Sequence, residues 1–240
     1  MRGFLFLFLF LCMPLTMLAM SNDDCTRKVI VMLGAPGSGK GTQAGLICTQ
    51  YNLPHISTGD LFRDNIKRNT ELGQRVKSTL DSGQLVSDSI VLEMLYNRIE
   101  KPDCCKGFIL DGCPRTVNQA EEIDRHLTDC QILAINLDVP DQEIIRRIQD
   151  RMVCEVCNTP YDPVINPPKV EGICNKEGGK LIKRKDDSLE VVKERLLVYH
   201  RETAPVKEYY EKSCRLVNID GTAGKDAVTH SIQETINKFI

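Results

Sequence analysis

The stretch Gly34-Ala35-Pro36-Gly37-Ser38-Gly39-Lys40-Gly41-Thr42 decides how the rest of the chain is read. It follows an apolar run, Val29-Ile30-Val31-Met32-Leu33, and leads into a helical pattern over Thr42–Tyr51. Strand, glycine-rich turn and helix in that order make an anion cradle. Glycines let successive backbone N–H groups turn inward with no Cβ in the way, and the helix start adds free N–H groups and the positive end of its dipole. Gly37, Ser38, Gly39, Lys40, Gly41 and Thr42 are therefore candidates for holding a polyphosphate. Lys40 can reach β- and γ-phosphates, and Thr42 can offer its hydroxyl to Mg²⁺ or an α-phosphate. The general phosphate-loop pattern has Ser or Thr directly after the lysine. Here Gly41 stands there and the hydroxyl arrives one position later. A tight structural turn is the alternative, and the preceding strand weighs against it.

The chain has 240 residues, enough for one large domain with insertions or two small ones. A net charge of −2 supplies no basic excess for a nucleic-acid partner, and the absence of Trp argues against a base-stacking platform. Residues Gly3 to Ala19 are almost wholly apolar, with Arg2 as the only charge before them. Two readings compete: a targeting signal or anchor, or an extension preceding a true start at Met20. Residues 20–240 are expected to be cytoplasmic, and secretory or organellar targeting, or a membrane contact, follows only if residues 1–19 are genuine. Pro14 and the shortness of the run argue against a spanning helix.

Beyond the first strand, apolar runs alternate with helical patterns. Strands are predicted at Phe108–Asp111, Ile132–Val139 and Leu216–Asp220. Helices are predicted at Asp60–Arg68, Glu71–Ser82, Asp88–Glu100, Val117–Leu127, Asp141–Asp150, Ser188–Lys212 and Asp226–Phe239. Ser57-Thr58-Gly59-Asp60 reads as a capping box. Such alternation implies an α/β fold: βαβ units, a parallel sheet and helices on both faces, with ligands at the carboxyl ends of the strands. Gly34 and Asp111 both fall at strand ends and should converge. Asp111, capping an apolar strand before Gly112, can hold Mg²⁺ directly or through water; a plain turn Asp is the alternative. Arg63, Arg115, Arg147, Arg151, Arg184 and Arg195 lie near glycines, prolines or helix ends. Taken singly they are solvated arginines, but phosphoryl transfer between two nucleotides needs several rigid guanidinium forks in one cleft.

With these motifs in order, the chain from Val29 onward resembles a long-lid adenylate kinase. The likeness is carried by Gly34 to Gln43, Ser57-Thr58-Gly59-Asp60, Asp111-Gly112-Cys113-Pro114-Arg115-Thr116, Asn166-Pro167-Pro168-Lys169, Arg184-Lys185-Asp186-Asp187, Tyr199-His200 and Thr203-Ala204-Pro205. The resemblance implies a parallel five-stranded core (28–56, 87–149 and 188–240), an AMP-binding insert (57–86) and a lid (150–187). It implies the reaction ATP + AMP = 2 ADP with Mg²⁺, and a monomer. Gly37 to Thr42, Arg147, Arg151, Pro160, Tyr161 and Ala223 would bind ATP, with Arg147 over the adenine. Thr58, Arg63, Gln84, Leu85, Val86, Gly112, Arg115, Gln119, Arg184 and Arg195 would bind AMP, with Gln119 pairing the adenine edge. Lys40, Asp111, Arg115, Arg151, Arg184 and Arg195 would carry the chemistry, and Asp186 and Asp187 would orient the lid arginine. Cys113 stands where the family usually has Phe.

Cys154, Cys157, Cys174 and Glu177 have the spacing of a four-ligand structural zinc site. Such lids usually end that set with Cys or Asp, and the longer Glu177 could miss. A metal-free lid and a Cys154–Cys157 disulfide are the alternatives. The other cysteines among the eleven are scattered. Other functions fit less well. A GTPase switch lacks its Asn-Lys-x-Asp motif here, a pyrimidine nucleotide kinase would have a shorter lid, and a zinc-binding module explains nothing before Cys154. Another nucleoside monophosphate kinase, such as a GTP:AMP phosphotransferase, is the runner-up.

Overall fold

The computed structural model describes residues 26–184 and 186–240; the apolar segment 1–19, and with it the question of targeting, lies outside them. The chain runs β1 (Arg27–Leu33), α1 (Lys40–Tyr51), β2 (His55–Ser57), α2 (Thr58–Lys67), α3 (Glu71–Asp81), α4 (Asp88–Ile99), β3 (Gly107–Asp111), α5 (Val117–His126) and β4 (Cys130–Asp138). It continues with α6 (Asp141–Asp150), β5 (Met152–Cys154), β6 (Pro160–Tyr161), β7 (Leu181–Ile182), α7 (Leu189–Val198), α8 (Ala204–Lys212), β8 (Leu216–Asp220) and α9 (Lys225–Phe239).

Five parallel strands form the central sheet in the order β2-β3-β1-β4-β8. β1 is buried on both faces, which is why it reads as an unbroken apolar run. Val29, Val31 and Leu33 face one core layer with Phe108, Leu110, Leu95, Ile123 and Tyr210. Ile30 and Met32 face the other with Ile109, Ile135, Ile47, Ile232 and Ile236. The chain places β3 on one side of β1 and β4 on the other, so a crevice opens at the carboxyl end of β1. The register Met32↔Asp111 brings the end of β3 beside the turn that follows β1.

A second, antiparallel sheet, β6-β5-β7, is built on its own small core of Cys154, Tyr161, Cys174 and Leu181. Lys67 of α2 donates to the Glu155 carbonyl at 3.2 Å, and Lys225 of α9 donates to Asn166 Oδ1 at 3.2 Å. The small sheet is thereby tied across the crevice to both sides.

Three sequence expectations need correction. The pattern predicts four core strands; the fifth, β2, has three residues, too few for a period to register. The short strands of the small sheet escape for the same reason. The helix predicted over Ser188–Lys212 is broken into α7, a π-helical turn at Tyr199–Thr203 and α8. Pro205 has no N–H to continue an α ladder, and its ring would meet the preceding turn; the wider π turn absorbs the interruption.

Gly107 opens β3 with φ +133°, and a Cβ there would lie 2.0 Å from the Lys28 carbonyl oxygen. Gly107→Ala is expected to cost about 3 kcal/mol of stability, read from the urea midpoint with the slope unchanged.

Candidate functional site

The turn between β1 and α1 is shaped by glycines where side chains will not fit. Gly37 has φ +87° and a Cβ there would strike Ile148; Gly39 caps α1 in the left-handed region at φ +99°. A Cβ on Gly41 would come 3.2 Å from Asp111 Oδ2. The missing hydroxyl at that position therefore has a local reason: Gly41 lets the β3 carboxylate approach the loop.

Gly37 to Thr42, Asp111, Arg63, Gly112, Arg115, Arg147, Arg151, Arg184 and Arg195 line a single cleft of about 550 Å³ at the carboxyl ends of the strands. Pro160, Tyr161, Leu85 and Ala223 reach it too. The expected convergence of Gly34 and Asp111 holds. Thr58, Gln84, Val86 and Gln119 line an adjoining recess that shares Leu85, Gly112 and Arg115 with the cleft.

Lys40 Nζ donates to the carbonyl oxygens of Gly34 and Ala35, both at 2.8 Å. Burial pushes its pKa down to about 8; Asp111 resists, while Arg115, Arg195 and Arg151 add to the shift. For Asp111, burial works to raise the pKa. The hydrogen bond to His55 and the charges of Lys40, His55 and Arg115 outweigh it and hold the carboxyl below its usual range. His55 Nε2 lies 3.3 Å from Asp111 Oδ2.

Arg151 forms a two-pronged ion pair with Asp187, through Nε at 2.9 Å and through Nη2. Arg195 Nη1 lies 3.1 Å from Asp186 Oδ2 and 3.7 Å from Asp187 Oδ1. Arg63 pairs with Asp60 at 2.6 Å. Among the described residues Arg115 and Arg184 have no carboxylate partner, and Arg184 Nε is buried with no acceptor. Burial, then Arg63 and Arg151, push Arg184 down to about 9; burial pushes Arg195 down to about 10 against the pull of Asp186. A guanidinium keeps its proton in a protein, so these shifts express the cost of burying its charge, to which the neighbouring guanidiniums add, rather than neutral arginines.

Arg147 is buried and already engaged. It donates to Glu143 at 2.7 Å, to the Gly221 carbonyl at 2.9 Å and to the Ser38 carbonyl at 3.4 Å. Tyr161 sits mostly within the small sheet's core, its hydroxyl 3.3 Å from Cys174 Sγ. Thr58 donates to the Gly112 carbonyl at 2.9 Å, and Arg115 Nε to the same oxygen at 2.8 Å.

The thiols of Cys154, Cys157 and Cys174 lie within 4.8 Å of one another, and all three are free, so the Cys154–Cys157 disulfide is not formed. The donor set fits a thiophilic metal. The Tyr161 hydroxyl and the backbone N–H groups of Glu177 and Lys176 hold the Cys174 thiol well below its usual range, while burial pushes Cys154 up. Glu177, expected as the fourth ligand, is not in the cluster. Its side chain is exposed, and what it turns toward Cys174 is its backbone N–H.

Sequence reasoning missed His55, which sits on the three-residue strand, and Asp88, which accepts from Gln119 Nε2 at 2.7 Å. An isolated acidic residue in the first turn of a helix reads as a dipole partner, and nothing in the sequence linked Asp88 to Gln119.

Comparison with known proteins adds the last line of evidence. The family model described as adenylate kinase matches residues 32–215. A curated adenylate kinase of Acetivibrio thermocellus is 48% identical over 211 residues, covering 87% of this chain and 97% of that protein. One from Lachnospira eligens is 50% identical over 206 residues, covering 85% and 97%. One from Methanocella arvoryzae is 46% identical over 212 residues, covering 87% and 98%. With the phosphate loop, the arginine-lined cleft and matches over most of its length, the chain belongs to the adenylate kinase family.

Proposed function

We infer that the chain interconverts ATP plus AMP with two ADP, and that the residues converging on the cleft carry this out. One observation supports the reading above the rest: Lys40, Arg63, Arg115, Arg151, Arg184 and Arg195 line one cleft, and among the described residues the carboxylates lining it are Asp60, Asp111 and Asp162, with Asp186 and Asp187 paired to Arg195 and Arg151. Buried cations in excess of their counter-ions call for an anionic ligand, and two facing phosphate chains supply one.

The loop from Gly37 to Thr42 would hold the ATP phosphates, with Lys40 exchanging its two carbonyl partners for phosphate oxygens. The Thr58, Arg63, Val86, Arg115 and Gln119 side of the cleft would take AMP. Arg115, Arg151, Arg184 and Arg195 would hold the transferring group in line and balance its charge. Asp111, kept ionised by the hydrogen bond to His55 and the charge of Lys40, would hold the waters of a Mg²⁺ bound with ATP, whose charge would offset that of the phosphates. An AMP phosphate oxygen is already anionic, so no protein base is required. Residues 57–86 and 150–187 serve as the covers, excluding water that would otherwise take the phosphoryl group. The chain is proposed to act as a monomer. Cys154, Cys157 and Cys174 would hold a structural zinc, with Glu177 as the fourth ligand once its exposed side chain turned inward.

Arg115→Ala and Arg151→Ala are each expected to lower kcat about 100-fold or more in a coupled assay with ATP and AMP, with lysine unable to restore a two-pronged contact. Near-normal turnover in both would defeat the clamp; replacing ATP by GTP in the same assay tests the donor. Lys40 titrates near pH 8 without ligand and should be held charged by a polyphosphate, so ATP binding takes up protons and weakens as pH rises through 8. Calorimetry at about pH 8.5 in two buffers of different ionisation heat should register that uptake, and Lys40→Met should lose it. Protein purified without a histidine tag is expected to carry zinc close to one per chain, and a chelator should lower its melting temperature. Zinc well under one per chain is the negative result.

A further inference from the structure

Asp88 opens α4 beside the start of α5. Its carboxylate accepts from Gln119 Nε2 at 2.7 Å, Asn118 Nδ2 at 2.8 Å and Thr116 Oγ1 at 3.0 Å. An ionised carboxylate only accepts, so the end of the Gln119 amide facing it is the NH₂ group. At the other end, Gln119 Oε1 accepts from the Arg115 backbone N–H at 2.7 Å and from Cys113 Sγ at 3.5 Å. Burial pushes the Cys113 thiol up to about 12, so it stays a protonated donor. The two ends of an amide are normally hard to tell apart. Here a flip would set NH₂ against a backbone N–H, and oxygen against a carboxylate. Gln119 is 1% exposed, so water could relieve neither clash.

The rest of the inference stands on the acceptor role given above to Gln119. Nε2 keeps a second N–H, and the second lone pair of Oε1, which the Cys113 thiol reaches only at 3.5 Å, is open to a stronger donor that displaces that weak contact. Side by side, these match a base edge that carries a ring acceptor next to an amino group, as a 6-aminopurine does. A 6-oxopurine has a ring N–H next to a carbonyl, the reverse order. We propose that Asp88 is a specificity-determining positioning residue: by pinning the Gln119 amide against the Arg115 N–H, it makes the acceptor pocket take 6-aminopurine nucleotides and refuse 6-oxopurine ones. Asp88 acts through Gln119 and touches no substrate. The Cys113 thiol covers the second lone pair of that oxygen until a base amino group displaces it.

The experiment compares kcat/KM for AMP and for IMP, whose base differs in the 6-substituent and the N1 proton. Asp88→Asn has nearly the same shape but can face Gln119 with either end. It is expected to raise the IMP:AMP ratio about tenfold or more, with KM for ATP unchanged. Asn118→Ala, which removes a different bond to the same carboxylate, should leave the ratio where it was. A ratio within about twofold of the parent in Asp88→Asn, or an equal shift in Asn118→Ala, would reduce Asp88 to a staple between two helices and overturn the proposal. If Asp88→Asn lowers the melting temperature, equilibrium binding of AMP and IMP in the cold reads the same ratio from folded protein. Gln119→Ala separates the two levels: unchanged KM and base preference there would remove the acceptor role itself, and this inference with it.

Discussion

The structure is organised around positive charge that it cannot neutralise internally. Arg115 and Arg184 reach the cleft without carboxylate partners among the described residues, and Lys40 rests on two backbone carbonyls. Such a cluster costs folding free energy and persists only because the surrounding structure holds it. Much of the fold reads as that scaffold. The two core layers clamp β1 and β3, so that the glycine turn and Asp111 have no freedom to drift apart. Asp186 and Asp187 restrain the guanidiniums they can reach, leaving the remaining excess for a ligand.

That arrangement divides the labour of the chemistry. Nothing in the cleft needs to gain or lose a proton during transfer, because the nucleophile arrives ionised. What matters is geometry and field: several donors with fixed directions, in a space from which water is removed. On the proposed reading, selectivity would be handled elsewhere, in the recess next to Gly112, where direction of hydrogen bonding rather than charge would do the sorting.

How much of this could be read before the structure depends on the range of the signal. The phosphate loop is local and continuous, so Gly37 to Thr42 were legible in full. Asp111 was legible because it ends an apolar run. The arginines could be suspected as a group from the chemistry that a phosphate loop implies, but their roles came only from the resemblance, since no spacing rule brings Arg63 to Arg184. His55 was invisible because its strand is too short to show a period. The π turn was missed because a helical pattern continues across Pro205, and only the backbone N–H count forbids an unbroken ladder. Glu177 misled because spacing along the chain says nothing about direction: the residue reaches Cys174, but with its main chain. Asp88 needed the fold, since its partner lies 31 residues away.

Arg147 joins Glu143 and the carbonyls of Ser38 and Gly221, fastening the phosphate loop to the turn after β8. On the proposed reading this is the floor on the donor side, assembled in advance. A nucleotide landing on it would meet groups already immobilised, so little ordering entropy is spent there. The cost of capture would fall instead on the covers, whose ties across the crevice, Lys67 to Glu155 and Lys225 to Asn166, are single hydrogen bonds. Tightening this enzyme's grip without slowing its release would therefore be a matter of editing the rim, not the floor.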